Sequence, residues 1–218
     1  MCGRYLLEDE AYADILLILH NLNKAKKSAA SALAQNEFAS GEQISRKLAK
    51  DGLASGDIFP TSIAPIGTSD GIVAVKWGFP HWKNSGVIIN ARSETASIKK
   101  MFAKPLRERR CVVPSSGFYE WSRQVGKSKT KNKYFLHQPG ESVLYMAAIT
   151  DTFRDAQGTQ YSAFVILTTA ANDSVSPIHD RMPVILAPDE LELWINDDNF
   201  TEQALHRTGP ELVAVLST

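Results

Sequence analysis

The sequence predicts an α+β fold, a mostly antiparallel sheet system carried in a single domain over residues 1–218. Three observations predict it. Short strand-like runs outnumber helical ones and rarely alternate with them, which argues against a parallel βαβ architecture. Prolines and glycines interrupt those runs at short intervals. The 218 residues suffice for one full core, and no linker-like stretch or internal repeat divides them.

The chain opens Met1-Cys2-Gly3-Arg4-Tyr5. Residues 8–22 place Tyr12, Ile15, Leu16 and Leu19 at helical spacing behind acidic residues, which predicts an amphipathic helix. Residues 23–48 are rich in Ala, Ser and Lys and predict a second helix plus a surface connection, with no chemistry assigned. Residues 57–60 and 62–65 are extended pieces broken by prolines, hence loops or edge strands. Residues 71–77 read as a strand, and the apolar wall Val87-Ile88-Ile89 ends in Asn90-Ala91-Arg92. Residues 95–110 are basic and partly helical, interrupted by Pro105. Residues 111–114 and 117–121 read as adjacent strands and 122–132 as a lysine-rich hairpin tip. Residues 133–137, 143–149 and 162–168 complete a set of strands. A short helix is expected over 169–175, capped by Thr168 or Thr169, then a last strand over 184–186. Pro188-Asp189-Glu190 opens a helix with proline and acids in its first turn.

Composition excludes several classes. Hydrophobic residues at 44% with charged residues at 22% are ordinary for a globular protein and unlike a disordered chain. The longest apolar run, Val143 to Ile149, falls far short of the ~18 residues of a membrane span, so no membrane partner is expected. No basic flank or apolar core of a signal peptide precedes Glu8-Asp9-Glu10. Two cysteines, Cys2 and Cys111, make neither a disulfide framework nor a metal site. No metal and no cofactor are therefore expected, and a reducing cytosol is the natural compartment. The formal net charge is zero but unevenly spread: residues 76–133 hold 14 basic and 3 acidic residues, residues 134–218 hold 3 and 12. Such a block reads as a surface for a polyanion, or as two halves of one fold facing each other.

Cys2 carries the most distinctive chemistry. Its small side chain permits removal of Met1, which would leave an α-amine and a thiol on one residue, with ordinary pKa values of about 8 and about 8.5. This 1,2-aminothiol condenses with an aldehyde to an imine and then to a five-membered thiazolidine. An internal cysteine cannot do so, because its nitrogen lies in a peptide bond. The alternative is a small buried residue with no chemistry. Glu120, between Tyr119 and Trp121, shares a strand face with Phe118, and a carboxyl group in apolar surroundings suits general acid/base work near neutrality. The alternative is an edge-strand carboxylate turned to water or paired with a lysine. His179 is followed by Asp180, which can orient its ring, and by Arg181, which can bind phosphate; a structural loop histidine is the alternative. Asn90 and Arg92 project to one side of a strand end, to bind sugar or phosphate or to form a network with Glu94. Trp77, Trp82, Phe118, Tyr119 and Trp121 interleave with the basic block, as single-stranded nucleic acid requires and as core packing equally explains. There is no glycine-rich phosphate loop, metal-binding His/Cys pair or Gly-x-Ser-x-Gly elbow.

Met1-Cys2-Gly3-Arg4-Tyr5, Asn90-Ala91-Arg92-Ser93-Glu94-Thr95, Gly117-Phe118-Tyr119-Glu120-Trp121 and Ile178-His179-Asp180-Arg181-Met182-Pro183 occur in that order. This set resembles the SOS-response-associated peptidase (SRAP) family, which includes sensors of abasic sites in single-stranded DNA. The resemblance runs from Cys2 to about Trp194; residues 23–48 lie outside its motifs and the stretch after Trp194 matches weakly. It implies an open barrel-like core flanked by helices, acting as a monomer in the bacterial cytosol or nucleoid. It also implies that Cys2, freed of Met1, forms a thiazolidine with the aldehyde of an abasic deoxyribose. Asn90 would hold the Cys2 amine and the sugar, and Glu120 would be the general acid/base for ring opening and imine formation. His179 would act at the sugar oxygen and in reversal of the link. Arg4, Arg92 and Arg181 would hold phosphates, Pro65 and Trp82 would wedge and stack bases, and Gly3 and Thr168 complete the DNA-binding set.

Two other activities fit the same residues. One is a cysteine peptidase acting at least on its own N-terminus, with the Cys2 thiol as nucleophile and His179 or Glu120 as base. The other is a non-covalent reader of single strands, whose binding survives Cys2→Ala.

Overall fold

A computed structural model describes residues 2–8, 56–81, 85–122 and 131–217. The helices expected within 8–48, the ring of Trp82 and most of the hairpin tip fall outside the described residues. In chain order the strands are β1 (Tyr5–Leu7), β2 (Gly56–Ile58), β3 (Ile63–Thr68), β4 (Gly71–Trp77), β5 (Phe79–Pro80), β6 (Val87–Ile88), β7 (Asn90–Arg92) and β8 (Arg110–Ser115). There follow β9 (Gly117–Trp121), β10 (Lys133–His137), β11 (Leu144–Arg154), β12 (Gln160–Ala170), β13 (Arg181–Pro183), β14 (Ile185–Leu186) and β15 (Val213–Ser217). The helices are α1 (Ser93–Ala96), α2 (Lys100–Glu108), α3 (Leu191–Asn196) and α4 (Asp198–His206).

Five strands close into a barrel in the order β12-β4-β3-β8-β11, because β12 pairs with β4 along one edge and with β11 along the other. The barrel is therefore closed rather than open as expected; closure removes the unpaired edges that an open sheet must cover. Pairing is antiparallel except where β12 runs beside β4 and β7. β7, β13 and β14 attach around the barrel to β12 and β11. A second, wholly antiparallel sheet has the order β15-β10-β9-β1-β2. Its inner face packs on the barrel: the Tyr5 ring meets Trp77 at 5.2 Å, and Trp77 stacks on Phe164 at 6.3 Å with planes 6° apart. All three side chains are fully buried, and large rings of this kind dominate core energetics.

Residues 111–114 and 117–121 form strands as expected, consecutive in the chain but in different sheets: β8 belongs to the barrel and β9 to the second sheet. The chain changes sheet at Ser115, whose hydroxyl donates to the Gly117 carbonyl at 2.7 Å and accepts from the Gly117 N–H at 2.9 Å. A Cβ on Gly117 would lie 2.4 Å from Phe135 Cζ and 2.6 Å from the Leu136 carbonyl, so the corner admits only glycine. Pro105 does not interrupt its helix; α2 runs through it with the ring buried, at the cost of the bond its missing N–H would have given Met101. No helix forms over 169–175. Instead β12 continues to Ala170, and the Asn172 side chain, not a threonine, caps the following turns by accepting from Ser174 N–H at 3.1 Å and Val175 N–H at 3.3 Å. Pro177 disfavours helical backbone at Ser176. Lastly, residues 63–68 form a barrel strand rather than a loop or edge. The Ser62 carbonyl accepts from Trp77 N–H, so by antiparallel alternation Pro65 turns its nitrogen away from β4. On that other side β8 joins β3 only at Gly67.

Part of the basic block is consumed internally. Arg110, 6% exposed, donates to the Leu106, Arg107 and Trp194 carbonyls and to Asp198 Oδ1 at 2.8 Å, tying α2, α3 and α4 to the barrel. Arg109 pairs with Asp151 at 2.8 Å. Among the described residues no helix is long and apolar enough to cross a membrane, and no group of three or more metal-ligating side chains converges.

Candidate active site

Strand pairing carries the start of the chain to Glu120. Tyr5 lies opposite Phe118 in the β1–β9 ladder, and Tyr119 N–H donates to the Arg4 carbonyl at 2.9 Å. By alternation, Phe118 and Glu120 face inward with Tyr5, while Tyr119 and Trp121 face outward with Arg4. Glu120 is 3% exposed and Cys2 fully buried. From the barrel side, β7 brings Asn90, whose Nδ2 donates to the Cys2 carbonyl at 2.9 Å. The turn before β13 brings His179, whose Nε2 stands 4.0 Å from Glu120 Oε2. The four residues expected to carry chemistry thus meet at the junction of barrel and sheet.

Electrostatics distinguish their states. Burial pushes the Cys2 thiol well above its ordinary pKa, and the nearby Glu120 carboxylate pushes it further. The 3.8 Å contact from Cys2 Sγ to the Arg4 carbonyl opposes this only weakly. Tyr5 is also raised, by burial and then by the nearby Cys2. His179 Nδ1 lies 2.9 Å from the Arg181 backbone N–H and 3.1 Å from Asp180 Oδ1. A neutral Nδ1 cannot accept from the first and donate to the second. The backbone donor is held in β13 while the Asp180 carboxylate is 68% exposed, so Nδ1 is the acceptor and the ring proton sits on Nε2, facing Glu120. Among the described residues, Asn90 Oδ1 and the Tyr5 hydroxyl are buried without hydrogen-bond partners.

The residues expected to hold DNA are dispersed. Arg181 is 9% exposed and grips Glu94 with both Nη atoms, while Nη2 also donates to the Thr168 carbonyl. This is an internal clamp, and a phosphate there would compete with Glu94. Thr168 is fully buried, 3.5 Å from the Ala91 carbonyl. Pro65 is buried in β3 opposite Ala74, not displayed as a wedge. Arg92 is exposed at the start of α1 and Gly3 is half-buried. Arg4 lies outward, 3.4 Å from Asp57 Oδ2 and 4.4 Å over the Phe59 ring. Sequence reasoning missed Tyr5, Phe59 and Asp57 as neighbours of the site. Tyr5 was readable from its two-residue spacing to Gly3. The pairing of Glu94 with Arg181, 87 residues apart, leaves no local signal.

A closed barrel packed on a second sheet, with Cys2, Asn90, Glu120 and His179 meeting where the two join, defines the class of fold to which the chain belongs. The chain belongs to the SOS response associated peptidase (SRAP) family, whose profile it matches over residues 1–214. It is 36% identical over 138 residues to the abasic site processing protein YoaM of Bacillus subtilis, covering 61% of this chain and 60% of that one. It is 32% identical over 125 residues to the abasic site processing protein YedK of Escherichia coli, covering 57% and 54%. The matching stretch thus spans little more than half the length of these relatives. A crystal structure of a protein from Bacteroides thetaiotaomicron superposes with a TM-score of 0.68 at 26% identity, covering 88% of each chain.

Proposed function

We propose that this protein processes abasic sites in DNA by forming a reversible thiazolidine link between Cys2 and the ring-opened sugar in single-stranded DNA. Removal of Met1 frees the Cys2 amine. Glu120 takes the proton of the sugar's anomeric hydroxyl while His179 Nε2–H protonates the ring oxygen, opening the hemiacetal to an aldehyde and an alcohol. The amine adds to the aldehyde carbon and one water leaves, giving an imine. The thiol sulfur then bonds to that carbon and its proton passes to nitrogen, closing the thiazolidine without any redox change. Reversal runs the same steps backward, with His179 supplying and recovering the proton.

One observation carries the reading: Asn90 Nδ2 holds the Cys2 carbonyl at 2.9 Å, across from the Glu120–His179 pair. Asn90 Oδ1, without a hydrogen-bond partner among the described residues, would accept from the Cys2 amine once Met1 is gone. The names of the B. subtilis and E. coli relatives support the substrate. The chain would act as a monomer in the DNA-containing reducing cytosol of a bacterium.

The test is a denaturing gel after mixing the protein with a single strand carrying one abasic site, with intact-mass analysis of the N-terminus and Cys2→Ala alongside. A denaturant-resistant band that needs both Cys2 and the loss of Met1 is expected. A folded protein lacking Met1 that forms no such band overturns the reading.

A further inference from the structure

His179 and Glu120 stand 4.0 Å apart at the pocket, yet among the described residues no strand ladder joins β13 to β9. Where the imidazole stands therefore depends on the loop that presents it. That loop runs from Ala171 to Asp180 and is closed at its neck by Ala171 N–H, which donates to the Asp180 carbonyl at 3.0 Å. One side chain organises its interior. Asn172 Oδ1 accepts from the Ser174 hydroxyl at 2.7 Å, from Ser174 N–H at 3.1 Å and from Val175 N–H at 3.3 Å. Val175 is fully buried, and its carbonyl accepts from His179 N–H at 3.0 Å. A single buried residue thus separates the Asn172 side chain from the His179 backbone.

The other end of the amide faces the body of the protein. Asn172 Nδ2 donates to the Gly209 carbonyl at 3.1 Å and to the Pro210 carbonyl at 2.7 Å, while Ser174 Oγ accepts from Leu212 N–H at 3.0 Å. These partners fix the amide's orientation, since only the nitrogen can serve two carbonyls. Residues 209–212 lead into β15, which pairs with β10, and Tyr134 of β10 lies opposite Glu120. The same side chain therefore shapes the His179 loop and holds it against the segment that continues into the Glu120 sheet. We propose that Asn172 is a positioning residue for His179, acting through its side-chain oxygen and Val175 to stand the ring where Nε2 faces Glu120. Asparagine suits the task because its side chain bonds to backbone a few residues on and closes a turn. The role is separate from that of the Glu94–Arg181 clamp: Arg181 N–H sets the ring's tautomer, and Asn172 sets the ring's place. The proposal rests on His179 acting in the reaction described above.

Single-turnover crosslinking to a single strand carrying one abasic site tests it, with each variant checked as folded by circular dichroism. Asn172→Ala should lower the rate at saturating strand about 10–100-fold and leave the half-saturating concentration within about twofold, because geometry changes and binding does not. Asn172→Ser should restore most of the loss, since its hydroxyl accepts from the same N–H groups without setting a carboxylate against the Gly209 and Pro210 carbonyls. An aminothiol condenses slowly unaided, so a His179→Ala protein still has a rate to measure. Adding Asn172→Ala to it should change that rate less than about twofold. A wild-type rate in Asn172→Ala overturns the proposal. So does Asn172→Ala slowing the His179→Ala protein as much as it slows the wild type, and so does Asn172→Ser remaining as slow as Asn172→Ala. Nitrogen NMR of the His179 ring in DNA-free protein reads the same geometry without the reaction: Asn172→Ala should give mixed tautomers and Asn172→Ser the single Nε2–H form. If the wild type forms no crosslink, the covalent reading fails on its own, and an unchanged ring spectrum in Asn172→Ala then overturns the positioning role.

Discussion

Replacing Glu94 by glutamine tests how the two halves of the site are braced. Glu94 follows the Asn90 strand, and both its carboxylate oxygens take bonds from Arg181, whose own N–H sets the His179 tautomer. Glutamine keeps the shape and one acceptor but removes the charge. Bonds to charged groups contribute about 1.5–3 kcal/mol when shielded, but the Glu94 side chain is 46% exposed, so solvent reduces the net loss to about 1–2 kcal/mol. For a chain of this size each kcal/mol moves Tm by about 2–4 °C, so Glu94→Gln should melt about 2–8 °C lower near neutrality. The pH dependence sharpens the test. The Arg181 hydrogen bonds hold the Glu94 pKa below its ordinary 4.5. A depressed folded-state pKa gives stability that is complete above the unfolded value and lost as pH falls through the folded one. The melting gap between wild type and variant should therefore close progressively below about pH 4. Nitrogen NMR of the His179 ring should show the Nε2–H tautomer in the wild type and a mixture in the variant. Equal melting temperatures at neutral pH, or a gap that persists unchanged in acid, would refute the brace.

Four further outcomes are expected. Asn90→Ala should slow crosslinking about 100-fold by loosening the Cys2 terminus, while costing no more than about 1.5 kcal/mol of stability in denaturant melts. Gly117→Ala should cost about 3 kcal/mol or more, since its Cβ would overlap Phe135 and the Leu136 carbonyl at the sheet-switching corner; urea unfolding reads this directly. Arg110→Met should destabilise by about 2–4 kcal/mol, because three carbonyls lose a buried donor while the exposed Asp198 returns to water, and an unchanged Tm would contradict the tie between α2, α3 and α4. Iodoacetamide should alkylate Cys2 more slowly in the folded protein than in the unfolded chain, and Glu120→Gln should speed the reaction, because burial and then the Glu120 charge disfavour the thiolate.

Local pattern alone determined a good deal. The strand readings over 71–77 and 133–137 match β4 and β10 to the residue, and alternation placed Glu120 on one face with Phe118, which is buried. Proline and acids after Ala187 marked the helix that ends the resemblance. The order of four short motifs pointed to the family that the profile match shows. These signals survive without a structure because each depends on neighbours two to four residues away.

Tertiary structure decided what depends on partners far along the chain. Whether the barrel closes turns on β12 finding both β4 and β11, and the change of sheet between β8 and β9 turns on Gly117 fitting against Phe135. Arg181 is joined to Glu94 through both ends of its guanidinium, and Pro65 lies buried in a barrel strand. The division between Trp77 in the core and Trp121 on the outer face followed from which sheet each strand joined. Residue type sets which contacts a side chain can make, but burial and long-range pairing choose among them, and only the folded chain holds that choice.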